Sequence, residues 1–349
     1  MTASSAVSRN YPYNCWWVAA FAAEVGRSLL ARWLLDTPVL LYRTESGEVV
    51  ALEDRCPHRL APLSRGALQG DAVECGYHGF RFGPNGKCTR VPTLKAPPPI
   101  CVESYPVRES GPFVWVYLGD RDRLNDVPPP PELSWATAPE FAVLSGKMDI
   151  AANYMLLKEN VLDLTHFSYL HAKTFGITDW TNPPEVTTEA ETVSYRQRFV
   201  ECPLPAAYAL PLGLEPGIIW NRETYGSFVS PALQTSANDI FDPAKPGAPP
   251  MGCYRIAHAT TPVDGGHMHY FWLFGRDHAR GSEVMEHLAK VIKQGFAEDV
   301  AMLEAVQALS SRSPRRGSSG ERSVKADAAG VHARRMVDRW MARETIPQS

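Results

Sequence analysis

Apolar residues in the first third of the chain fall into short runs separated by turn signals. Residues 39–42 (Val-Leu-Leu-Tyr) are followed by Ser46-Gly47, then by 49–52 (Val-Val-Ala-Leu), and Gly111-Pro112 precedes the run 113–118. Strand-length runs broken by Gly, Pro and Ser predict a small antiparallel β unit over about residues 33–118. Pro128 to Pro131 can neither continue a helix nor sit in a central strand, which predicts an extended linker. The chain is therefore expected to divide into a first domain over 1–127, a Pro-rich linker over 128–140 and a second domain over 141–349. Past the linker the period changes. Residues 151–170 read as helix, 194–199 and 268–274 as strands, 283–309 as a long amphipathic helix and 328–343 as a short closing helix. The second domain is thus predicted to be α+β. Residues 310–323, with Arg312, Arg315, Arg316 and Arg322, read as a solvated loop.

Composition narrows the function classes. With 349 residues, 44 % hydrophobic and 21 % charged, and a net charge of −3, the chain has the make-up of a globular protein and not of a basic nucleic-acid coat. Seven cysteines, at 15, 56, 75, 88, 101, 202 and 253, are odd in number and scattered, unlike a disulfide scaffold. Reduced thiols and a cytoplasmic location are expected. The apolar run 16–23 ends at Glu24, too short for a membrane span, and residues 1–10 carry one Arg, so neither leader nor anchor is expected.

Two cysteines lie in matched surroundings: Cys56-Pro57-His58 and, sixteen residues on, Cys75-Gly76-Tyr77-His78. Each loop offers one thiolate and one imidazole. A tetrahedral zinc site accepts these donors, although zinc spacings usually group Cys with Cys and His with His. A [2Fe–2S] cluster of the Rieske type needs two thiolates on one iron and two imidazoles on the other. On that reading Cys56 and Cys75 hold one iron, and His58 and His78 the other. Gly66, Gly76, Gly79 and Gly83 let backbone approach closely, and Pro57 and Pro62 stiffen the loop. The remaining five cysteines have no partner at useful spacing and are expected to be packing residues.

A second constellation lies in the string Glu-Asn-Val-Leu-Asp-Leu-Thr-His-Phe-Ser-Tyr-Leu-His, which places Asn160, Asp163 and His166 three residues apart and His171 five beyond. On an ideal helix His166 and His171 point about 140° apart, so they share an ion only if the helix ends or bends between them. A divalent iron site also needs a carboxylate. The amphipathic helix offers Glu298 and Asp299. Asp299 falls on the apolar stripe Leu288, Ile292, Phe296, Leu303, and Glu298 falls off it. A carboxylate on a buried face needs a cation or a partner, which can equally be a Lys at the helix edge.

These motifs resemble the Rieske non-heme iron oxygenases, in the branch that contains vanillate O-demethylase and dicamba monooxygenase. The resemblance runs from Tyr11 through both ligand loops, the Asn160–His171 string, Phe-Ala-Glu-Asp at 296–299 and the tail Asp-Ala-Ala-Gly-Val at 327–331. It implies an N-terminal antiparallel β Rieske domain followed by a helix-grip-like α+β catalytic domain. By the same resemblance His166, His171 and Asp299 are ligands of a mononuclear Fe(II). Asp163 bridges to His78 of a neighbouring subunit in a head-to-tail homotrimer, Asn160 is a neighbour of the iron, and His258 takes the place of a carboxylate-binding His. A surface-strand His is the alternative for His258. Respiratory members of the family carry an extra cysteine in each ligand loop, and 56–62 and 75–80 have none.

The expected function is the terminal oxygenase component of an aromatic monooxygenase, acting in aromatic catabolism. It would O-demethylate or methyl-hydroxylate a small aromatic acid with O2 and NAD(P)H electrons from a separate flavin and ferredoxin-type reductase. A ring-hydroxylating dioxygenase and a non-enzymatic Rieske electron carrier are the alternatives. Between 182 and 265 little matches the family, so the substrate does not transfer.

Overall fold

A computed structural model describes residues 11–180, 182–312 and 322–344. The chain forms two compact units: one runs to Glu132 and includes Thr261–Asp264, and the other comprises Leu133–Thr260 and the chain from Gly265 onward. Between residues 128 and 140 the only regular structure is the 3-10 turn Ser134–Ala136. The readings made for residues 1–10 and for 313–321 of the Arg-containing loop lie outside the described residues.

In the first unit the short apolar runs become β1 (Trp16–Phe21), β2 (Leu30–Leu34), β3 (Thr37–Arg43), β4 (Val49–Glu53), β5 (Ala67–Gln69) and β6 (Ala72–Glu74). They continue as β7 (Arg81–Phe82), β8 (Cys88–Arg90), β9 (Ser104–Tyr105), β10 (Val107–Ser110) and β11 (Phe113–Tyr117). Three antiparallel sheets result, in the orders β1-β11-β10, β2-β3-β4-β9 and β5-β6-β7-β8. Because β11 is central in its sheet, its five residues are all buried, which is why it reads as one continuous apolar run. Leu40, Tyr42, Leu52, Leu63, Val73 and Phe82 share one core, and Cys56 and Cys75 are embedded in it. Cys15, Cys88 and Cys253 are buried as expected of packing residues, Cys202 is half-buried, and Cys101 is exposed. Cys101, opposite Lys87 in an isolated bridge, is exposed and not a packing residue, which corrects the expectation.

The second unit is built on a seven-stranded sheet in the order β12-β18-β17-β16-β15-β14-β13. Its strands are β12 (Ala142–Ile150), β13 (Glu185–Thr188), β14 (Val193–Pro203), β15 (Ile219–Ser230), β16 (Leu233–Phe241), β17 (Gly252–Asp264) and β18 (His267–Arg276). Among the described residues four helices accompany it: α1 (Tyr154–Leu162), α2 (Ala206–Ala209), α3 (Ser282–Arg312) and α4 (Ala328–Ala342). The architecture is the expected one, an antiparallel β domain followed by an α+β domain. No helix among the described residues is long and apolar enough to cross a membrane.

The helix expected over 151–170 is shorter than its periodicity suggests. Asn153 caps α1 by accepting from Met155 N–H, and the helix ends at Leu162. Asp163 is extended (φ −122°, ψ 97°), and a 3-10 turn, Leu164–Ser168, follows. The reason is local competition: Asp163 Oδ1 accepts from both the N–H and the hydroxyl of Thr165, so it caps the next turn instead of continuing the last. The helix thus ends before His166, and the 3-10 turn that carries His166 itself ends at Ser168, so the chain bends between the two histidines as well.

Candidate functional site

The first-unit loops following β4 and β6 are two copies of one backbone design. Cys56 N–H donates to Ala61 O (2.9 Å) and Leu60 N–H returns to Cys56 O (2.8 Å). Cys75 N–H donates to Phe80 O (2.8 Å) and Gly79 N–H returns to Cys75 O (3.0 Å). The fourth residue after each cysteine is left-handed, Leu60 at φ 58° and Gly79 at φ 70°. Asp54 pins the first loop by accepting from Ser64 N–H and Oγ–H, both at 2.6 Å, and a Glu74–Arg81 ion pair spans the second. The loops touch where no side chain fits: a Cβ on Gly66 would lie 1.9 Å from Glu74 O.

Both cysteines are 2 % exposed, whereas His58 and His78 stand at the exposed rim with ring centroids 4.6 Å apart. His58 stacks on Phe80 at 4.7 Å. Burial pushes the Cys56 thiol up to about 11, and the adjacent Cys75 thiol adds to this. A thiolate at that depth needs a cation to stabilise it. Two soft donors at the floor and two imidazoles at the rim suit a cluster with one thiolate-bound and one imidazole-bound iron.

In the second unit His166, His171 and Asp299 each present a ligand atom within 4.8 Å of the others. The 3-10 turn supplies His166, the turn after it supplies His171, and the buried stripe of α3 supplies Asp299. His166 Nδ1 donates to Asp163 O (2.6 Å), and its Nε2 lies 3.6 Å from Asp299 Oδ1. His171 Nδ1 donates to Glu298 Oε2 (2.8 Å), and its Nε2 lies 3.1 Å from the same Asp299 oxygen. With both Nδ1 atoms committed as donors, both Nε2 atoms are free to offer lone pairs at one point. Asn160 Nδ2 also donates to Asp299 Oδ1 (3.0 Å). Burial holds His166 below the usual imidazole range. Burial acts the same way on His171, but the carboxylates of Asp299 and Glu298 outweigh it and raise that imidazole. Two imidazoles and one carboxylate form a set that leaves coordination positions for other ligands. Asp163 is half-buried, one carboxylate oxygen engaged by Thr165.

A cavity of about 550 Å³ opens from Asn160, His166 and Asp299. Phe167, Ile177, Trp180, Tyr208, Ile256 and Phe296 make much of its wall. Across the sheet runs a polar row of Thr224, Ser236, Asn238 and His258. Thr224 (2.6 Å) and Tyr208 (3.2 Å) both donate to Asn238 Oδ1, leaving the Asn238 amide nitrogen to bond a ligand. His258 is buried in this row, not on a surface strand, and burial pushes its imidazole down to about 3. The Tyr270 hydroxyl, kept protonated by burial, lies 2.7 Å from His258 Nδ1. With Tyr270 as the donor, the proton of the neutral imidazole sits on Nε2, 3.4 Å from Ser236 Oγ.

All seven ligand candidates thus fall into the two expected groups of residues, and Asn160 and His258 border the second. Of the polar row only His258 was named from the sequence; Thr224, Ser236, Asn238 and the Tyr270 behind His258 were not. Polar residues at alternate positions of β16 (Gln234, Ser236, Asn238) were a signal, but the same pattern describes a solvent face. His269, on β18 outside the cavity lining, pairs with Asp149.

Comparison with known proteins agrees with this geometry. Residues 15–106 match the Rieske [2Fe-2S] domain family, and residues 150–343 match the vanillate O-demethylase oxygenase C-terminal domain family. The vanillate O-demethylase oxygenase subunit of a Pseudomonas species is 32 % identical over 343 residues, 96 % of each chain. The toluene-4-sulfonate monooxygenase iron-sulfur subunit of Comamonas testosteroni is 44 % identical over 167 residues, 47 % of each chain. The crystal structure of dicamba monooxygenase bound to 3,6-dichlorosalicylic acid superposes with a TM-score of 0.82 at 25 % identity, covering 95 % of this chain and 97 % of that one.

Proposed function

The chain belongs to the Rieske oxygenases with a vanillate O-demethylase-type catalytic domain, and from this we propose that it is the terminal oxygenase component of a monooxygenase of small aromatic acids. The observation that carries the reading is the cavity that ends on His166, Asp299 and Asn160. Its size suits one substituted benzene ring, and its apolar walls with one polar row suit a ring bearing a hydrogen-bonding group.

Cys56 and Cys75 would hold one iron of the cluster and His58 and His78 the other, while His166, His171 and Asp299 would hold Fe(II). The two groups, when bound, supply stored single electrons and O2 activation. The protein's own part is to place the substrate. His258 Nε2–H, oriented by Tyr270, and the Asn238 amide present donors to an acidic substituent, and Phe167 and Phe296 confine the ring at the other end. The relatives' names speak of vanillate, dicamba and toluene-4-sulfonate, all aromatic acids with a methyl or methoxy group. Hydroxylation of a methoxy carbon takes one oxygen atom, with two electrons and two protons reducing the other to water, and the hemiacetal collapses to formaldehyde and a phenol.

The electrons come from NAD(P)H through a separate reductase, whose existence the relatives' designation as oxygenase components supports. We assign the protein to aromatic catabolism in the cytoplasm, as an odd and scattered set of seven cysteines favours. Asp163 bridges to His78 of the next subunit of a head-to-tail trimer. The test is iron quantitation with formaldehyde assays on methoxy- and methyl-substituted aromatic acids and a surrogate reductase. About three irons per chain and formaldehyde release support the reading, whereas about two irons would leave an electron carrier. Labelled O2 entering a product as two atoms would make it a ring dioxygenase.

A further inference from the structure

Glu298 and Asp299 are adjacent on α3, about 100° apart around the helix axis. They grip His171 from opposite sides of its ring: Asp299 Oδ1 is 3.1 Å from Nε2, and Glu298 Oε2 is 2.8 Å from Nδ1. His166 has no such second carboxylate, since its Nδ1 donates to the neutral Asp163 carbonyl. The two imidazoles of the site are therefore supported unequally, one by a backbone oxygen and one by a full negative charge.

Glu298 is itself fixed. Its Oε1 accepts from the Thr174 hydroxyl, whose oxygen lies 3.4 Å from Gln294 Nε2, one turn back on α3. Thr174 and Phe175 N–H both donate to His171 O, at 3.1 and 2.9 Å, so the turn that bears His171 folds onto the residue that holds Glu298. Partly buried as it is, the Glu298 carboxylate stays below its usual range because Thr174 and His171 bond its charged form against the cost of burial. A carboxylate behind a metal-binding imidazole locks the tautomer that offers the other nitrogen and makes that nitrogen more basic.

We infer that Glu298, the carboxylate passed over as a ligand, is a positioning residue that sets the affinity of the His166–His171–Asp299 site for a divalent cation by acting through His171. This rests on the reading of that triad as a metal site. Two neutral imidazoles and Asp299 leave a divalent ion with one uncompensated positive charge, and Glu298 supplies the balancing negative charge without occupying a coordination position. Thr174 lines the cavity and holds Glu298, so the wall of the substrate cavity and the back of a ligand share one hydrogen-bond chain.

The probe is Co(II), titrated into full-length protein that keeps its cluster but has been stripped of other metal. Affinity is read by competition with a chelating dye, and the site by the Co(II) paramagnetic resonance signal, which the diamagnetic oxidised cluster does not obscure. Glu298→Gln keeps an acceptor for Nδ1–H and removes the charge; it should weaken Co(II) binding roughly tenfold, and Glu298→Ala roughly a hundredfold, the range for partners behind a metal ligand. Both should alter the Co(II) signal. Thr174→Val, which leaves every carboxylate in place, should give a smaller loss of the same sign. Cluster absorbance and thermal midpoint report folding independently. Wild-type-like affinity and signal in both Glu298 variants, with any effect confined to the melting temperature, would overturn the proposal and make Glu298 a tie between helix and loop. So would abolition of binding by Glu298→Gln with only weakening by Asp299→Asn. Failure of the wild type to bind one Co(II) would overturn the metal reading itself.

Discussion

His258 shows how far one buried residue depends on its neighbours. Its imidazole, held near 3 by burial, is raised by Asp299 and lowered by Lys158, and the Tyr270 hydroxyl lies 2.7 Å from Nδ1. In the unfolded chain it titrates near 6.5. Between these values the unfolded state binds a proton that the native state does not, so stability falls as pH falls through this window. At pH 5 the cost from His258 alone is about 2 kcal/mol relative to pH 7.5, from roughly 1.4 kcal/mol per pH unit. His258→Gln, neutral at every pH, should flatten the acid limb of a plot of urea-unfolding free energy against pH. An unchanged acid limb in the variant would mean that His258 accepts a proton in the folded protein. The same neutrality bears on the proposed substrate binding: if His258 meets an acidic group, it does so as a hydrogen-bond donor and not as a cation, and affinity should depend less on salt than a surface ion pair would.

At the scale of elements, what was legible was whatever the chain states locally. The cluster loops could be read because residue type and spacing carry the chemistry. The long helix α3 could be read because many turns repeat one stripe, and Asp299 stood out as the charge on that stripe. The end of α1 was misjudged because apolar residues continue in helical register to Leu170, while a single side chain, Asp163, redirects the backbone to Thr165. Apart from His258, the members of the polar row of β15, β16 and β17 could not be picked out, because they meet only when those strands pair. Gly295 is a further case. Within α3 it costs about 1 kcal/mol of helix propensity against Ala. A Cβ there would lie 2.3 Å from the ring of Phe175, which stacks on Phe167 at 5.5 Å and stands edge-on to His171 at 5.1 Å. Gly295→Ala should therefore leave the thermal midpoint nearly unchanged, propensity gained offsetting strain of about the same size. It should lower kcat/KM roughly tenfold by shifting Phe175 against the ligand and the cavity wall. Wild-type kcat/KM would mean that Phe175 has another place to go.

At the scale of the whole molecule the issue is which cluster serves which iron. One chain carries the two donor sets in two separate units, with His58 and His78 at an exposed rim and Asp163 half-buried with one oxygen held by Thr165. If Asp163 bridges to His78 of a neighbouring subunit, Asp163→Asn, which keeps an acceptor for Thr165 and removes the charge, should lose turnover while both metal contents, measured by iron quantitation and cluster absorbance, stay at wild-type levels. Loss of activity alone would not say whether the partner lies in the same chain, but subunit mixing does. Take one variant with a disabled cluster, His78→Ala, and one with a disabled iron site, His166→Ala. Each alone should be inactive. If the protein is a head-to-tail ring, the two variants co-refolded or co-expressed in equal amounts form mixed rings in which a chain with an intact iron site follows a chain with an intact cluster. In a head-to-tail ring with random assortment, half the chains keep the iron site and half of those have a competent donor neighbour, so about a quarter of wild-type activity per chain should return. Transfer confined within one chain predicts no recovery at any mixing ratio, because neither variant holds both centres. The dependence on ratio adds a second check: between-chain transfer gives a maximum at equal amounts, as the product of the two fractions, whereas contamination by wild-type protein would scale with one component only.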